Sequence, residues 1–174
     1  GYNVLAIDFR GHGQSSFTEE KSWQRFTDRE FQEMTKDVAA AEHFLNAENF
    51  TIIGASIGAN VAVQYAAENP GVGALALLSP GENYRTVTTD TINAIKEPIF
   101  IAASSEDTYA ATSSRTLQQR APNTELEILQ NAGHGTDMFK QTDLNKKLLA
   151  WLADNFPPET PPVGNETNGT VLRR

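Results

Sequence analysis

One serine, one histidine and a pair of adjacent carboxylates carry the chemistry this sequence can do. Ser56 lies in Gly54-Ala55-Ser56-Ile57-Gly58, which fits G-x-S-x-G. Before it runs Phe50-Thr51-Ile52-Ile53, short, apolar and β-branched. After it runs Ala59 to Ala67, small and helix-compatible. A serine at the tip of a sharp strand-to-helix turn is held in a strained backbone conformation, and its hydroxyl projects from the sheet. The flanking glycines let strand and helix approach with no Cβ between them. The start of the helix offers free N–H groups to an oxyanion formed at that serine.

A serine hydroxyl attacks a carbonyl only with a base in hydrogen-bond reach, and the base needs an orienting group. His134, between Gly133 and Gly135 in a loop, is the candidate base. Asp107 is the preferred orienting acid, because aspartate suits the turn positions that follow a strand. Its neighbour Glu106 competes for the role, and only one of two adjacent turn side chains can face the histidine. His12 reads as a turn residue that shapes its own loop. His43, beside Phe44, reads as a half-buried helix-face residue. Asp8 and Arg10 read as a structural ion pair, and packing or helix-face roles suffice for Asn60 and Gln64.

The elements that position these groups alternate. A strand Val4–Ile7 leads into the loop Asp8–Ser15. Thr27 and Glu30 form a capping box for an amphipathic helix over about 28–46, with Phe31, Met34, Val38 and Leu45 on its apolar face. The elbow helix ends near Asn69-Pro70-Gly71. Strands follow at 72–78, 99–103 and 125–129, and helices at about 110–120 and 137–155. The connection 82–97 is short and polar, with room for one or two helical turns. Strand and helix in alternation predict an α/β fold, a mostly parallel sheet covered by helices on both faces. In such sheets ligands bind beyond the carboxyl ends of the strands. Ser56, Asp107 and His134 each follow a strand, so three distant segments deliver a nucleophile, an acid and a base to one rim.

Composition narrows the alternatives. The chain has 174 residues, 39% of them hydrophobic, and 14 basic against 22 acidic side chains give a net charge of −8. No basic cluster stands out, which argues against nucleic-acid binding. No apolar run reaches transmembrane length. There is no cysteine, hence no disulfide, thiolate metal site or cysteine nucleophile. The three histidines lack metal-ligand spacing, so no metal is expected. Residues 1–156 read as one domain and 157–174, rich in Pro, Thr and Asn, as a disordered tail. The tail carries two N-glycosylation patterns, at Asn165 and Asn168, which leave the compartment open between cytoplasm and export.

From Tyr2 to Phe156 the chain resembles the α/β-hydrolase superfamily, and most closely its small serine esterases of the dienelactone-hydrolase-like or lysophospholipase-like type. The resemblance rests on Asp8-Phe9-Arg10-Gly11-His12-Gly13-Gln14-Ser15, the Gly54–Gly58 elbow, Asp107 and Gly133-His134-Gly135, in the family's order Ser…Asp…His. It implies a hydrolase of small-molecule carboxylic esters acting through an acyl-enzyme, with the backbone N–H of Ile57 in the oxyanion hole and no cofactor. Peptidase, thioesterase and acyltransferase chemistry share that intermediate, and a non-catalytic binding protein on the same fold is the alternative of another class. The resemblance also implies that the chain starts at the family's fourth strand. The loop expected to give the second oxyanion donor would then lie upstream, and a fragment with a gap beside the elbow strand is expected to be poorly stable and nearly inactive alone. No multi-helix cap fits in the short 79–97 connection, which predicts an open pocket for small acyl groups.

Overall fold

The structure, a computed structural model, describes residues 1–15 and 22–158. The expected tail therefore lies outside the described residues from 159 onward. Helices α1 (Asp28–Gln32) and α2 (Thr35–Leu45) precede strand β1 (Phe50–Ala55), helix α3 (Ile57–Glu68) and strand β2 (Val72–Leu78). A two-stranded hairpin follows, β3 (Asn83–Tyr84) and β4 (Val87–Thr88), then a 3-10 turn at Asp90–Ala94. Strand β5 (Ile99–Ser104), helix α4 (Thr108–Arg120), strand β6 (Thr124–Leu129) and helices α5 (Met138–Gln141) and α6 (Leu144–Asn155) complete the described chain.

Strands β1, β2, β5 and β6 form one sheet in that order, every pair parallel. Their carboxyl ends therefore share one rim. Strand β2 is central and nearly all apolar, as a strand buried on both faces must be. Its side chains divide by alternation. Leu75 and Leu77 join Ile99 and Ile101 of β5 in a core with Val61, Ala62 and Tyr65 of α3 and Leu117 of α4. Ala74, Ala76 and Leu78 join Phe100 and Ala102 in a second core with Leu148, Trp151 and Leu152 of α6. The sheet thus carries helices on both faces, as the alternating pattern predicts.

Four local expectations need correction. Val4–Ile7 is not a strand: no described strand lies beside it to share a ladder, and Val4 is 85% exposed. The helix expected over 28–46 is two helices, interrupted at Glu33-Met34. Its capping box is present, with the Thr27 N–H donating to the Glu30 carboxylate at 2.8 Å. His43 is exposed rather than half-buried, and Phe44 beside it is 77% exposed. The last helix also breaks, because Thr142 turns to extended backbone and its hydroxyl caps the Met138 carbonyl at 2.7 Å. Among the described residues strand β1 pairs on one side only, with β2, and Ile53 on it is 51% exposed.

Gly54 shows how closely β1 and α3 meet. A Cβ there would lie 2.4 Å from the Gly58 carbonyl oxygen and 2.8 Å from the Ala59 nitrogen, both backbone atoms that cannot swing aside. At Gly58 the nearest contact would be the far end of the Phe9 ring, at 3.3 Å. Gly54→Ala is expected to cost about 1–3 kcal/mol by overpacking, and thus to lower Tm by roughly 2–12 °C. Gly58→Ala should cost clearly less. Thermal unfolding of the two variants side by side checks this, and equal losses would contradict the backbone contact as the cause.

Candidate active site

Ser56 ends the turn between β1 and α3 with φ 55° and ψ −125°, outside the regions a side-chain-bearing residue normally occupies. The strand context holds it there. Its N–H donates to the Leu78 carbonyl at 2.8 Å, continuing the β1–β2 ladder one residue past Ala55, and its own carbonyl accepts from Ala59 at 2.9 Å in the first turn of α3. A strained serine at this point is the conformation that G-x-S-x-G between strand and helix requires. Ile57 is the first residue of α3, and the N–H groups of a first helical turn have no intrahelical acceptor.

The loops after β5 and β6 bring Asp107 and His134 together. The Nδ1 of His134 makes a short hydrogen bond with Oδ2 of Asp107. The other carboxylate oxygen accepts the Ala110 N–H at 3.3 Å, so Asp107 is also the N-cap of α4. One side chain therefore caps a helix, whose N-terminus favours negative charge, and holds an imidazole. The Asp107 side chain is 20% exposed and that of His134 46%. With Nδ1 engaged, Nε2 is the ring nitrogen left to take a proton.

Gly135 joins the histidine loop to the elbow. Its N–H donates to the buried Ser79 hydroxyl at 2.9 Å, and a Cβ on it would touch the Ala55 Cβ at 3.6 Å. Ser79 follows β2 directly beside Ser56. The three predicted residues thus lie on one rim, with Asp107 on the imidazole and the histidine loop packed against the residue before Ser56.

Glu106 faces away from the histidine. Its carboxylate accepts from the hydroxyls of Ser104 and Ser105 and from the Asn131 N–H at 2.7 Å. Those donors, Ser104 first, hold its pKa down at about 2, so it is ionised throughout the neutral range. Of the two adjacent carboxylates, Asp107 meets the imidazole, while Glu106 meets the backbone of the loop.

The hairpin β3–β4 is a feature the sequence does not announce. Its turn residues Arg85 and Thr86 have φ of 50° and 66°, without the Asn-Gly or Asp-Gly pair that usually marks such a turn. Asn60 of α3 fastens it, accepting the Gly81 N–H at 3.0 Å and donating to the Val87 carbonyl at 2.7 Å. Gln64 donates to the Thr88 carbonyl at 3.2 Å. These two residues are brackets between the elbow helix and the hairpin, more than helix-face fillers. Tyr84 stacks edge-on with Tyr109, two residues past Asp107, and both rings would meet a Cβ placed on Gly81. Burial first, and then the charge of Asp107, push the Tyr84 phenol up to about 12, so it keeps its proton.

The loop 8–15 is held by its own contacts. The Asp8 carboxylate accepts the Gln14 N–H at 2.9 Å. Arg10 reaches instead to α2, with Asp37 at 2.7 Å, and to Glu33 just before that helix, at 3.3 Å. The expected Asp8–Arg10 pair is replaced by these longer-range partners. His12 stacks on Trp23 with ring centroids 5.4 Å apart, and its Nδ1 meets the Arg10 carbonyl, the turn role expected of it. Among the described residues no cluster of three or more acidic, histidine or cysteine side chains could hold a metal, and no helix is long and apolar enough to cross a membrane.

Comparison with known proteins adds the family. The family described as alpha/beta hydrolase fold matches residues 1–93. The AB hydrolase superfamily protein YisY of Bacillus subtilis is 28% identical over 167 residues, covering 86% of this chain. The chain spans 60% of the length of that curated relative. Among solved structures, the serine hydrolase CCSP0084 of Cycloclasticus zankles superposes with a TM-score of 0.72 at 13% identity, covering 87% of this chain and 79% of its own. A carboxylesterase of the thaumarchaeon Nitrososphaera gargenis gives 0.68 at 18% identity, with 84% and 78% covered. With the matched residues spanning the loop 8–15, the elbow and the hairpin, and with the parallel sheet and the helices on its two faces shared with these structures, the chain belongs to the alpha/beta hydrolase fold family.

Proposed function

We propose that the protein is a serine hydrolase that cleaves carboxylic esters through an acyl-enzyme. The observation that carries this reading is the Asp107–His134 hydrogen bond, set on the same sheet rim as a serine in the strained elbow conformation. Ser56 Oγ attacks the acyl carbonyl while Nε2 of His134 takes its proton. The Asp107 carboxylate fixes the imidazole tautomer and stabilises the imidazolium. The oxyanion of the tetrahedral intermediate is received by the Ile57 N–H. His134 returns the proton to the departing alcohol, leaving the acyl group on Ser56. It then deprotonates water, which attacks the acyl carbon, and the second intermediate collapses to the carboxylic acid as His134 returns the proton to Ser56 Oγ. That two structural neighbours are a serine hydrolase and a carboxylesterase supports the same class.

The connection between β2 and β5 favours small acyl groups. It holds only a short two-stranded hairpin and a 3-10 turn, too little to roof the site. Labelling of the native protein by a fluorophosphonate, lost in Ser56→Ala, tests the nucleophile. An ester panel of increasing chain length tests the acyl preference, with the highest kcat/KM expected on short chains. No labelling where a control hydrolase reacts would favour a binding role on this fold. Faster turnover of long-chain esters would overturn the open-pocket reading.

A further inference from the structure

The bonds around Glu106 converge on the loop that carries His134. Its carboxylate accepts the Asn131 N–H at 2.7 Å and the Ser104 hydroxyl hydrogen. The Ser104 oxygen, itself fully buried, accepts the next N–H of the loop, that of Ala132, at 3.0 Å. Two consecutive backbone N–H groups, three and two residues before the histidine, are thus bound to the end of β5. On the far side the Gly135 N–H is bound to the buried Ser79 hydroxyl at the end of β2.

This loop needs outside support. Asn131, Gly133 and Gly135 have φ of 50°, 80° and 57°, three left-handed residues in five, which no repeating backbone pattern stabilises. The imidazole is nearly half exposed and its Nδ1 bonds to Asp107, so its aim depends on where the backbone at residue 134 is held. Glu106 contributes nothing to the apolar core; its donors are the two neighbouring serines and the histidine loop.

We propose that Glu106, acting with Ser104, is a positioning residue that sets the place of His134 against Ser56 and Asp107. This rests on the hydrolytic reading of the site for its kinetic consequence, though not for its structural one. The two adjacent carboxylates have complementary roles, Asp107 orienting the ring and Glu106 anchoring the backbone that carries it. Displacement of a catalytic group by about 1 Å can cost on the order of 100-fold in rate.

The test compares three substitutions in the native protein. Glu106→Ala is expected to lower kcat roughly 10- to 100-fold with little change in KM. Glu106→Gln keeps an oxygen able to accept from both Asn131 and Ser104, and should recover most of that loss. Glu106→Asp keeps the charge but is too short to reach the loop, and should behave like alanine. Full activity in Glu106→Ala overturns the proposal. So does rescue by aspartate and not by glutamine, which would assign charge instead of position. The Nδ1 proton of His134, followed by NMR without substrate, reads the same device independently of turnover. It should shift or exchange faster in the alanine and aspartate variants and stay as in wild type in the glutamine variant. An unchanged proton signal in Glu106→Ala overturns the proposal whatever the protein hydrolyses. A changed signal in a protein that hydrolyses no ester overturns the hydrolytic reading alone.

Discussion

Ser56→Ala is expected to lower kcat on a short-chain ester by roughly 10⁵- to 10⁶-fold, with KM changed only slightly. Members of a nucleophile–base unit fail together, so removing the hydroxyl removes the whole covalent route and leaves only oxyanion stabilisation and binding. His134→Ala should fall by a similar factor, and the double variant hardly further. The substitution at Ser56 deletes a single oxygen, and alanine accepts the same backbone position no better or worse than serine, so Tm should move little. Kinetics on the protein with its Tm recorded alongside make the test. A variant retaining more than about one part in a thousand of wild-type kcat would mean that the acyl group is carried elsewhere.

The second large effect is expected at Asp107. Asp107→Asn should cost roughly 10³- to 10⁴-fold in kcat, because an amide no longer selects the required imidazole tautomer or stabilises the imidazolium. Asparagine still accepts the Ala110 N–H, so α4 keeps its cap and the fold is spared. Asp107→Ala removes the cap as well and should lose about 1 kcal/mol of stability on top of the kinetic loss. The two variants together separate the helix end from the chemistry: similar rates and different Tm values are expected. Activity within about tenfold of wild type in Asp107→Asn would remove this carboxylate from the mechanism.

Much of the fold was readable because each strand is a short apolar run closed by turn residues and most covering helices start or stop at a recognisable cap. The sheet followed from that alternation, and the shared rim followed from parallel strands. The preference for Asp107 over Glu106 rested on the aptitude of aspartate for turns, and in the structure Asp107 caps α4 and bonds to the His134 ring. What escaped depends on distant partners. Nothing near Glu106 in sequence announces Asn131, 25 positions away. Arg10 finds Asp37 across 27 positions, a pairing no local pattern encodes. Val4–Ile7 has strand-like residues, but a strand is a property of two segments, and no described strand pairs with it. The hairpin at 83–88 hides behind Arg85 and Thr86, which take left-handed turn positions that glycine or asparagine normally advertise.

The backbone at Ser56 has one further implication. At φ 55° the position suits a residue with no side chain at all. Glycine would rest there at lower energy, and the hydroxyl is what it would give up. The chain therefore keeps, at the centre of its proposed chemistry, a side chain that its own backbone geometry penalises. Selection for durability alone would favour giving up the hydroxyl.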